Sequence, residues 1–177
     1  LWFLQKHGWR GKDDKRIVAT VPIQYLTSTV DDVLGYTDRS DFKICTHNGC
    51  KPTPKMRKDV KALVYGVTYR MKCLFAGNDD ACHLAKNKEN GRAACGTANT
   101  WASHPLTIEV FEKAGKLENL EAFLSGNAQE FHNFSPTVGT LTFIRKEWKI
   151  PERLPIPDTD ESVVPWMAGS TMAWKIS

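Results

Sequence analysis

Several features of membrane, exported and nucleic-acid-binding proteins are missing from this sequence of 177 residues. No apolar run approaches the ~20 residues that a membrane-spanning helix needs. The apolar start, LWFLQKHGW, is shorter than the hydrophobic region of a secretory signal peptide, and no small-residue cleavage site follows it. Basic residues are spread along the chain and form no stripe interleaved with aromatic residues, so nucleic-acid binding is not predicted.

The cysteine content points to a reducing compartment. The number of cysteines is odd, at five, and nothing suggests secretion, so we expect reduced thiols. The protein is therefore predicted to be cytoplasmic, with an organellar interior as the alternative.

Length and composition suit one soluble domain or a large piece of one. Hydrophobic residues make up 41% of the chain and charged residues 25%, and the net charge is only +4. The sequence has no initiator methionine, which leaves open that it is a fragment.

The first half of the sequence has the pattern of an α/β protein. Unbroken apolar strands are predicted at Arg16–Val21 and Lys72–Ala76, with short helices near residues 1–9 and 27–35. A longer helix is predicted over Pro54–Tyr65, before Gly66. Such strands separated by helices favour a parallel sheet with both faces covered. We expect the two strands to be parallel neighbours joined by a right-handed crossover.

The second half changes in character near residue 136. A long loop is predicted from Asn78 to His104, followed by a helix that begins at Pro105 and a second helix that ends at Gly126. From Thr140 the sequence contains short β-like pieces separated by prolines. We therefore divide the chain into an α/β segment, 1–135, and a β-rich extension, 136–177.

The most informative short stretch, NDDACH, follows the second predicted strand. Functional groups gather at the carboxyl ends of parallel strands, because the loops there vary while the sheet stays rigid. Asp79 is suited to bind a metal or act as a base, and His83 to donate to an anionic substrate. The alternative is that Asp79 caps a turn and His83 lies on the surface.

A second constellation, CTHNGC, contains the soft-metal ligand types of Cys45, His47 and Cys50. Its spacing is not that of a standard zinc knuckle. A fourth ligand would have to come from Cys82, His83 or Cys95. We expect loop or buried thiols here rather than a structural zinc site.

Motifs along almost the whole chain resemble those of the dihydroorotases. The stretch CLFAGNDDACHLAKNKE is similar to the family's G-T-D-S-A-P-H region on barrel strand eight, and GRAACG to the C-G-C-A-G-like segment after it. CKPTPKMRKDVKALV and VVPWMAGSTMAW also have counterparts in the family. The resemblance begins in the helix after barrel strand six and continues to the C-terminus.

This resemblance implies a fold, a reaction and a set of site residues. Dihydroorotases are zinc-dependent TIM-barrel amidohydrolases that interconvert carbamoyl aspartate and dihydroorotate in pyrimidine synthesis. Asp79 stands where the family has the aspartate that binds zinc and shuttles the proton. His83 would contact the substrate carboxylate, while Cys95, Gly96 and Lys51 would hydrogen-bond the pyrimidine ring.

The departures from the family pattern limit what the chain can do alone. Asn78, Asp80 and Cys82 replace the family's threonine, serine and proline, and Tyr25 stands where a histidine is usual. The upstream metal and substrate ligands have no counterpart in the sequence. Since a catalytic zinc usually has three protein ligands, this chain alone is predicted to bind no zinc tightly and to be inactive.

Three interpretations follow. The chain is the C-terminal part of a dihydroorotase barrel, with two parallel strands, and is completed by an N-terminal half that supplies the other zinc ligands. Alternatively, it is a non-catalytic, degenerate subunit of a larger assembly, in which a partner covers its exposed strand edges. The third interpretation is a stand-alone α+β binding module that shares only the fold.

Overall fold

The computed structural model describes residues 1–11, 17–29, 57–69, 71–90, 94, 96–136 and 138–177. The predicted helix at 27–35 lies mostly outside these ranges. Ser28 and Thr29 are described and are not helical; the helix in this region is Ile23–Thr27, directly after the first strand. Within the described part of the chain, no helix is both long and apolar enough to cross a membrane.

The centre of the first segment is a parallel pair of strands, as predicted. Strand β1 (Ala19–Val21) pairs with β2 (Leu74–Ala76), and Ala19 lies opposite Leu74. Both strands are shorter than the sequence suggested. The right-handed crossover between them stays a prediction, because much of the connection lies outside the described residues.

Helices surround this pair in the order α1 (Trp2–His7), α2 (Ile23–Thr27) and α3 (Arg57–Thr68). Helix α3 continues through Gly66, where the sequence predicted that it would end. A Cβ atom at Gly66 would lie 3.1 Å from Leu1 Cδ2 and 3.2 Å from Leu74 Cδ1. The glycine therefore serves close packing of the helix on its neighbours rather than termination.

After β2 come the short helix α4 (Ala85–Lys88) and the long helix α5 (Thr100–Lys113). The prediction that α5 begins at Pro105 was wrong, because Pro105 is inside the helix. Although proline cannot donate the helical hydrogen bond, apolar residues on both sides of it are buried, among them Ala102 and Leu106. Burial of this face favours a continuous helix.

The segment after α5 is also longer than predicted. It consists of a 3₁₀ turn (Leu117–Asn119), a π-helical stretch (Ala122–Gly126) and helix α6 (Asn127–His132). Gly126 therefore does not end the helical structure. The buried side chain of Asn127 donates a hydrogen bond of 3.0 Å to the Leu74 carbonyl, which fixes this segment against β2.

The C-terminal extension is β-rich, as predicted. Strand β3 (Phe143–Lys149) pairs antiparallel with β6 (Thr171–Ile176), and β4 (Leu154–Pro155) with β5 (Ser162–Val163). The extension packs on the first segment: the Trp166 amide donates to the Ala98 carbonyl at 2.7 Å, and the Ala173 amide to a Glu109 carboxylate oxygen at 2.9 Å. A domain boundary at residue 136 stays a prediction.

The hydrophobic core joins both segments. Phe111 of α5 is fully buried, and its ring lies 5.5 Å from that of Phe123. Ile150 and Trp166 of the extension belong to the same buried cluster. Cys73 is a buried free thiol and Cys82 an exposed one.

Truncating the centre of this core should be far more costly than truncating a surface ring. We predict that Phe111→Ala lowers the free energy of unfolding by about 3–5 kcal/mol, because it removes a buried ring and leaves a cavity. Phe134→Ala is the matched control, since Phe134 is 64% exposed, and should change it by about 0.5 kcal/mol or less. Denaturant unfolding of both variants measures the difference; equal losses would contradict this description of the core.

Candidate active site

The carboxyl ends of β1 and β2 bring two titratable side chains together. Tyr25 lies on α2, just after β1, and Asp79 follows β2. Burial raises the pKa of the Tyr25 phenol, and the nearby Asp79 carboxylate raises it further. The Asp79 side chain is exposed, and the Tyr25 phenol beside it is partly buried.

The backbone at Asp79 is in an uncommon conformation. Its φ angle is +48°, in the left-handed region that residues other than glycine seldom occupy. Asparagine and aspartate tolerate this region better than most residues, but at a cost. Such a conformation persists only where the surrounding contacts hold it, and it is often found at functional sites.

The neighbouring carboxylate, Asp80, has a clear structural role. It accepts a hydrogen bond of 2.9 Å from the Asn99 amide and another from the Thr100 hydroxyl. These donors lie at the N-terminus of α5, where a negative charge also interacts favourably with the helix dipole. Asp80 therefore caps a helix that begins about twenty residues later.

The side chain of Asn99 connects both strand ends. Its amide nitrogen donates to Gln24 Oε1 at 3.0 Å and to the Asn78 carbonyl. Asn99 and Gln24 are almost completely buried. Asn99 Oδ1 and Gln24 Nε2 have no hydrogen-bond partner among the described residues. The network therefore links α2, the residue before Asp79 and the start of α5.

Two further predicted site residues, His83 and Gly96, lie close together. Gly96 has a φ of +137°, and a Cβ atom there would lie 2.9 Å from His83 Cδ2 and would overlap the Ala81 carbonyl oxygen. Only glycine fits so close to this backbone. Lys88 donates to the carbonyls of Gly96 and Ala94, which fixes the segment from its other side.

The structure thus brings three of the predicted site residues to the segments that follow β2: Asp79, His83 and Gly96. Lys51 and Cys95 lie outside the described residues, so their roles stay predictions. The rival constellation of Cys45, His47 and Cys50 also falls outside them.

The residues that follow β2 do not fit a zinc ion by themselves. No group of three or more histidine, cysteine, aspartate or glutamate side chains that could hold a metal occurs in the described ranges. Asp79 offers one carboxylate, and Asp80 uses both of its oxygens on α5. A catalytic zinc usually needs three protein ligands, so further ligands must come from elsewhere.

A cavity of about 280 Å³ lies beside these segments, between the sheet and α5. Asn78 and His104 are among its lining residues, but Asp79 and His83 are not. Burial lowers the pKa of His104, so its imidazole is neutral near pH 7. The cavity is therefore a neighbour of the predicted site rather than the site itself.

Sequence reasoning missed the structural roles of Asp80, Asn99 and Gln24. Helix-capping residues are normally recognised immediately before the helix. Asp80 acts across nineteen positions to the Asn99 amide, so no local pattern reveals it. The resemblance singled out Tyr25 only as a departure from the family pattern, although the predicted parallel pairing of the two strands implies that it lies near Asp79.

The paired parallel strands with helices, and polar residues at the strand ends, define the chain as an α/β protein, and comparison with known proteins specifies its family. It is 37% identical to the dihydroorotase of Laribacter hongkongensis over 134 residues, which are 74% of this chain and 37% of that protein. It is 30% identical to the Shewanella loihica dihydroorotase over 189 residues, an alignment that covers 92% of this chain and 54% of that protein. No protein-family model matches the chain.

Solved structures agree. A dihydroorotase from Saccharomyces cerevisiae, in complex with 5-fluoroorotic acid, superposes with a TM-score of 0.83 at 26% identity, covering 99% of this chain and 47% of that one. For a Campylobacter jejuni dihydroorotase the TM-score is 0.76 at 28% identity, with coverage of 94% and 46%.

The chain belongs to the dihydroorotase family. It spans between 37% and 54% of the length of these relatives, so it corresponds to a part of them. The resemblance inferred from the motifs is thereby confirmed.

The capping role of Asp80 can be tested by its effect on stability. We predict that Asp80→Ala lowers the free energy of unfolding by about 1–2 kcal/mol, because it leaves two donors at the start of α5 without their acceptor. Asp80→Asn keeps an acceptor oxygen and loses only the charge, so it should lower the free energy of unfolding by less than Asp80→Ala. Asp160→Ala, at an exposed position, is the control. An Asp80→Ala value within error of this control would refute the capping role.

The proximity of Tyr25 and Asp79 predicts a change in a titration. In Asp79→Asn the pKa of Tyr25 should fall, because the negative charge that disfavours the phenolate is removed. It should stay above its usual value, since burial is the larger cause. NMR titration of labelled tyrosine measures this shift; a pKa equal in the two proteins would show that the groups do not interact.

Proposed function

We propose that this chain is the strand-seven and strand-eight part of a dihydroorotase, which acts on carbamoyl aspartate and dihydroorotate once an N-terminal half completes the barrel. The observation that carries the proposal is Asp79. It is an exposed carboxylate directly after a buried parallel strand, at the position that matches the family's zinc-binding aspartate. The activity belongs to the completed barrel.

The outer edge of β2 supports the need for completion. The parallel register directs the N–H and C=O of Leu74 and Ala76 away from β1. The groups of Leu74 are used, since its amide donates to Met71 and its carbonyl accepts from Asn127. For the backbone groups of Ala76 the described hydrogen bonds include no partner. An added strand would pair at this point, as barrel closure requires.

In the completed barrel, zinc would be held by Asp79 together with ligands from the N-terminal half. When bound, zinc would supply a water molecule that ionises near neutral pH, at ~7. Asp79, as an exposed carboxylate, would serve as the proton acceptor of the completed site. Asp80 cannot share this task readily, because its oxygens are engaged by the start of α5.

The substrate would be bound by the segments after β2. His83 is suited to donate to a substrate carboxylate, and the left-handed Gly96 keeps the backbone close to it. The backbone at Cys95 and the side chain of Lys51 would add hydrogen bonds to the pyrimidine ring. These four assignments follow from the family motif and are proposed for this chain on that basis.

A chimaera tests the proposal directly. The matched region of the Laribacter hongkongensis dihydroorotase is replaced by the corresponding residues of this chain, so that the relative supplies the remaining ligands. We predict measurable hydrolysis of dihydroorotate that Asp79→Ala reduces by at least a hundredfold, because one ligand and proton acceptor is lost. Turnover is measured with purified, zinc-loaded protein.

Asp158→Ala is the matched control, since Asp158 is also exposed and has a left-handed φ of +61°. It should leave turnover unchanged. A folded chimaera that is inactive, or whose activity survives Asp79→Ala, would contradict the catalytic assignment and favour the non-catalytic structural subunit.

A further inference from the structure

The residues on both sides of Asp79 are held by the same short segment, 97–100. Upstream, the Asn78 carbonyl accepts a hydrogen bond from the Asn99 side chain. Downstream, the Asp80 carboxylate accepts from the Asn99 amide, and the Ala81 amide donates to the Thr97 carbonyl at 3.0 Å. Asp79 thus lies between two anchors that one segment provides.

We propose that Asn99 is a positioning residue that holds Asp79 in its left-handed conformation and so presents its carboxylate before any metal binds. The catalytic meaning of this role rests on the proposed function, in which Asp79 is a zinc ligand. The conformational role itself does not depend on that function.

Three observations favour Asn99 over a general packing role. Its side-chain nitrogen and its backbone amide act on opposite sides of Asp79. It is fully buried, and a buried amide is costly unless its hydrogen bonds are made. Its third contact, to Gln24 on α2, fixes the segment relative to the end of β1.

The conformation of Asp79 gives the proposal a specific signature. Where φ is held positive, alanine is strained and glycine is not. In the otherwise unchanged chain, Asp79→Gly should therefore be more stable than Asp79→Ala, by roughly tenfold in the unfolding equilibrium constant. If Asn99 holds the conformation, the backbone of an Asn99→Ala protein can relax, and this Gly-to-Ala difference should shrink to twofold or less.

The experiment is a double-mutant cycle on the purified chain, with denaturant unfolding as the measurement. Alanine and glycine are compared at position 79, with and without Asn99→Ala. A purely structural contribution of Asn99 would lower the stability of both variants equally and leave their ratio unchanged, which would overturn the proposal. A fall of the Gly-to-Ala ratio of unfolding equilibrium constants to twofold or less in the Asn99→Ala protein supports the proposal.

Two additions keep the test decisive. Asp80→Ala, at an exposed position, removes the downstream anchor and should also reduce the ratio, so the cycle can be measured if Asn99→Ala does not fold. The same Gly-to-Ala comparison at Asp158, which has a φ of +61°, should be unaffected by either background. A ratio at Asp158 that falls equally would contradict a local effect.

The cycle needs neither metal nor substrate, so it separates the two claims. A collapsed ratio together with an inactive chimaera would overturn the proposed function and leave the positioning role in place. An unchanged ratio together with an active chimaera would overturn only the positioning role.

Discussion

The arrangement of the candidate site depends on the buried amide group of Asn99. Its side-chain nitrogen donates to Gln24 on α2 and to the carbonyl of the residue before Asp79, while the backbone amide of Asn99 donates to Asp80. Because Asn99 is inaccessible to water, losing the bonds of either nitrogen leaves a buried donor unsatisfied, at a cost of about 1–3 kcal/mol. The strained backbone of Asp79 is thus supported by interactions that need no ligand.

The hydrogen bonds around Asn99 also bear on one departure from the family motif. Asp80 replaces the family's serine next to the key aspartate, and a second carboxylate there would be expected to compete for metal or to repel the first. The structure gives it another role, because the N-terminus of α5 binds both of its oxygens. Both Asp80 oxygens are therefore engaged by α5, which is consistent with the role proposed for Asp79.

Local periodicity and the family motif together predicted much of the fold. The parallel pairing of β1 and β2 followed from two apolar runs separated by a helical pattern, and the short β pieces after Thr140 from composition. The start of α5 was missed, since Pro105 is a strong local signal for a helix start while the actual cap, Asp80, is far away in sequence. Gly66 was misjudged for a similar reason, because its close packing against Leu1 and Leu74, and not local propensity, determines its place inside the helix. Gly126 was also misjudged as a helix end, and no close contact of this residue explains it.

The part of the site that depends on the order of residues along the chain was predictable: the stretch NDDACH places Asp79 and His83 directly after β2. The part that depends on contacts between distant segments, such as the hydrogen bond from Asn99 to Asp80, was not. The proposed role of Asp79 as a zinc ligand in the completed barrel can be observed in a crystal structure of the zinc-loaded chimaera, with the metal located by anomalous scattering. We expect an Asp79 carboxylate oxygen about 2.0–2.2 Å from zinc. A zinc ion fully ligated by the N-terminal half, with Asp79 turned away from it, would show that Asp79 is not a ligand.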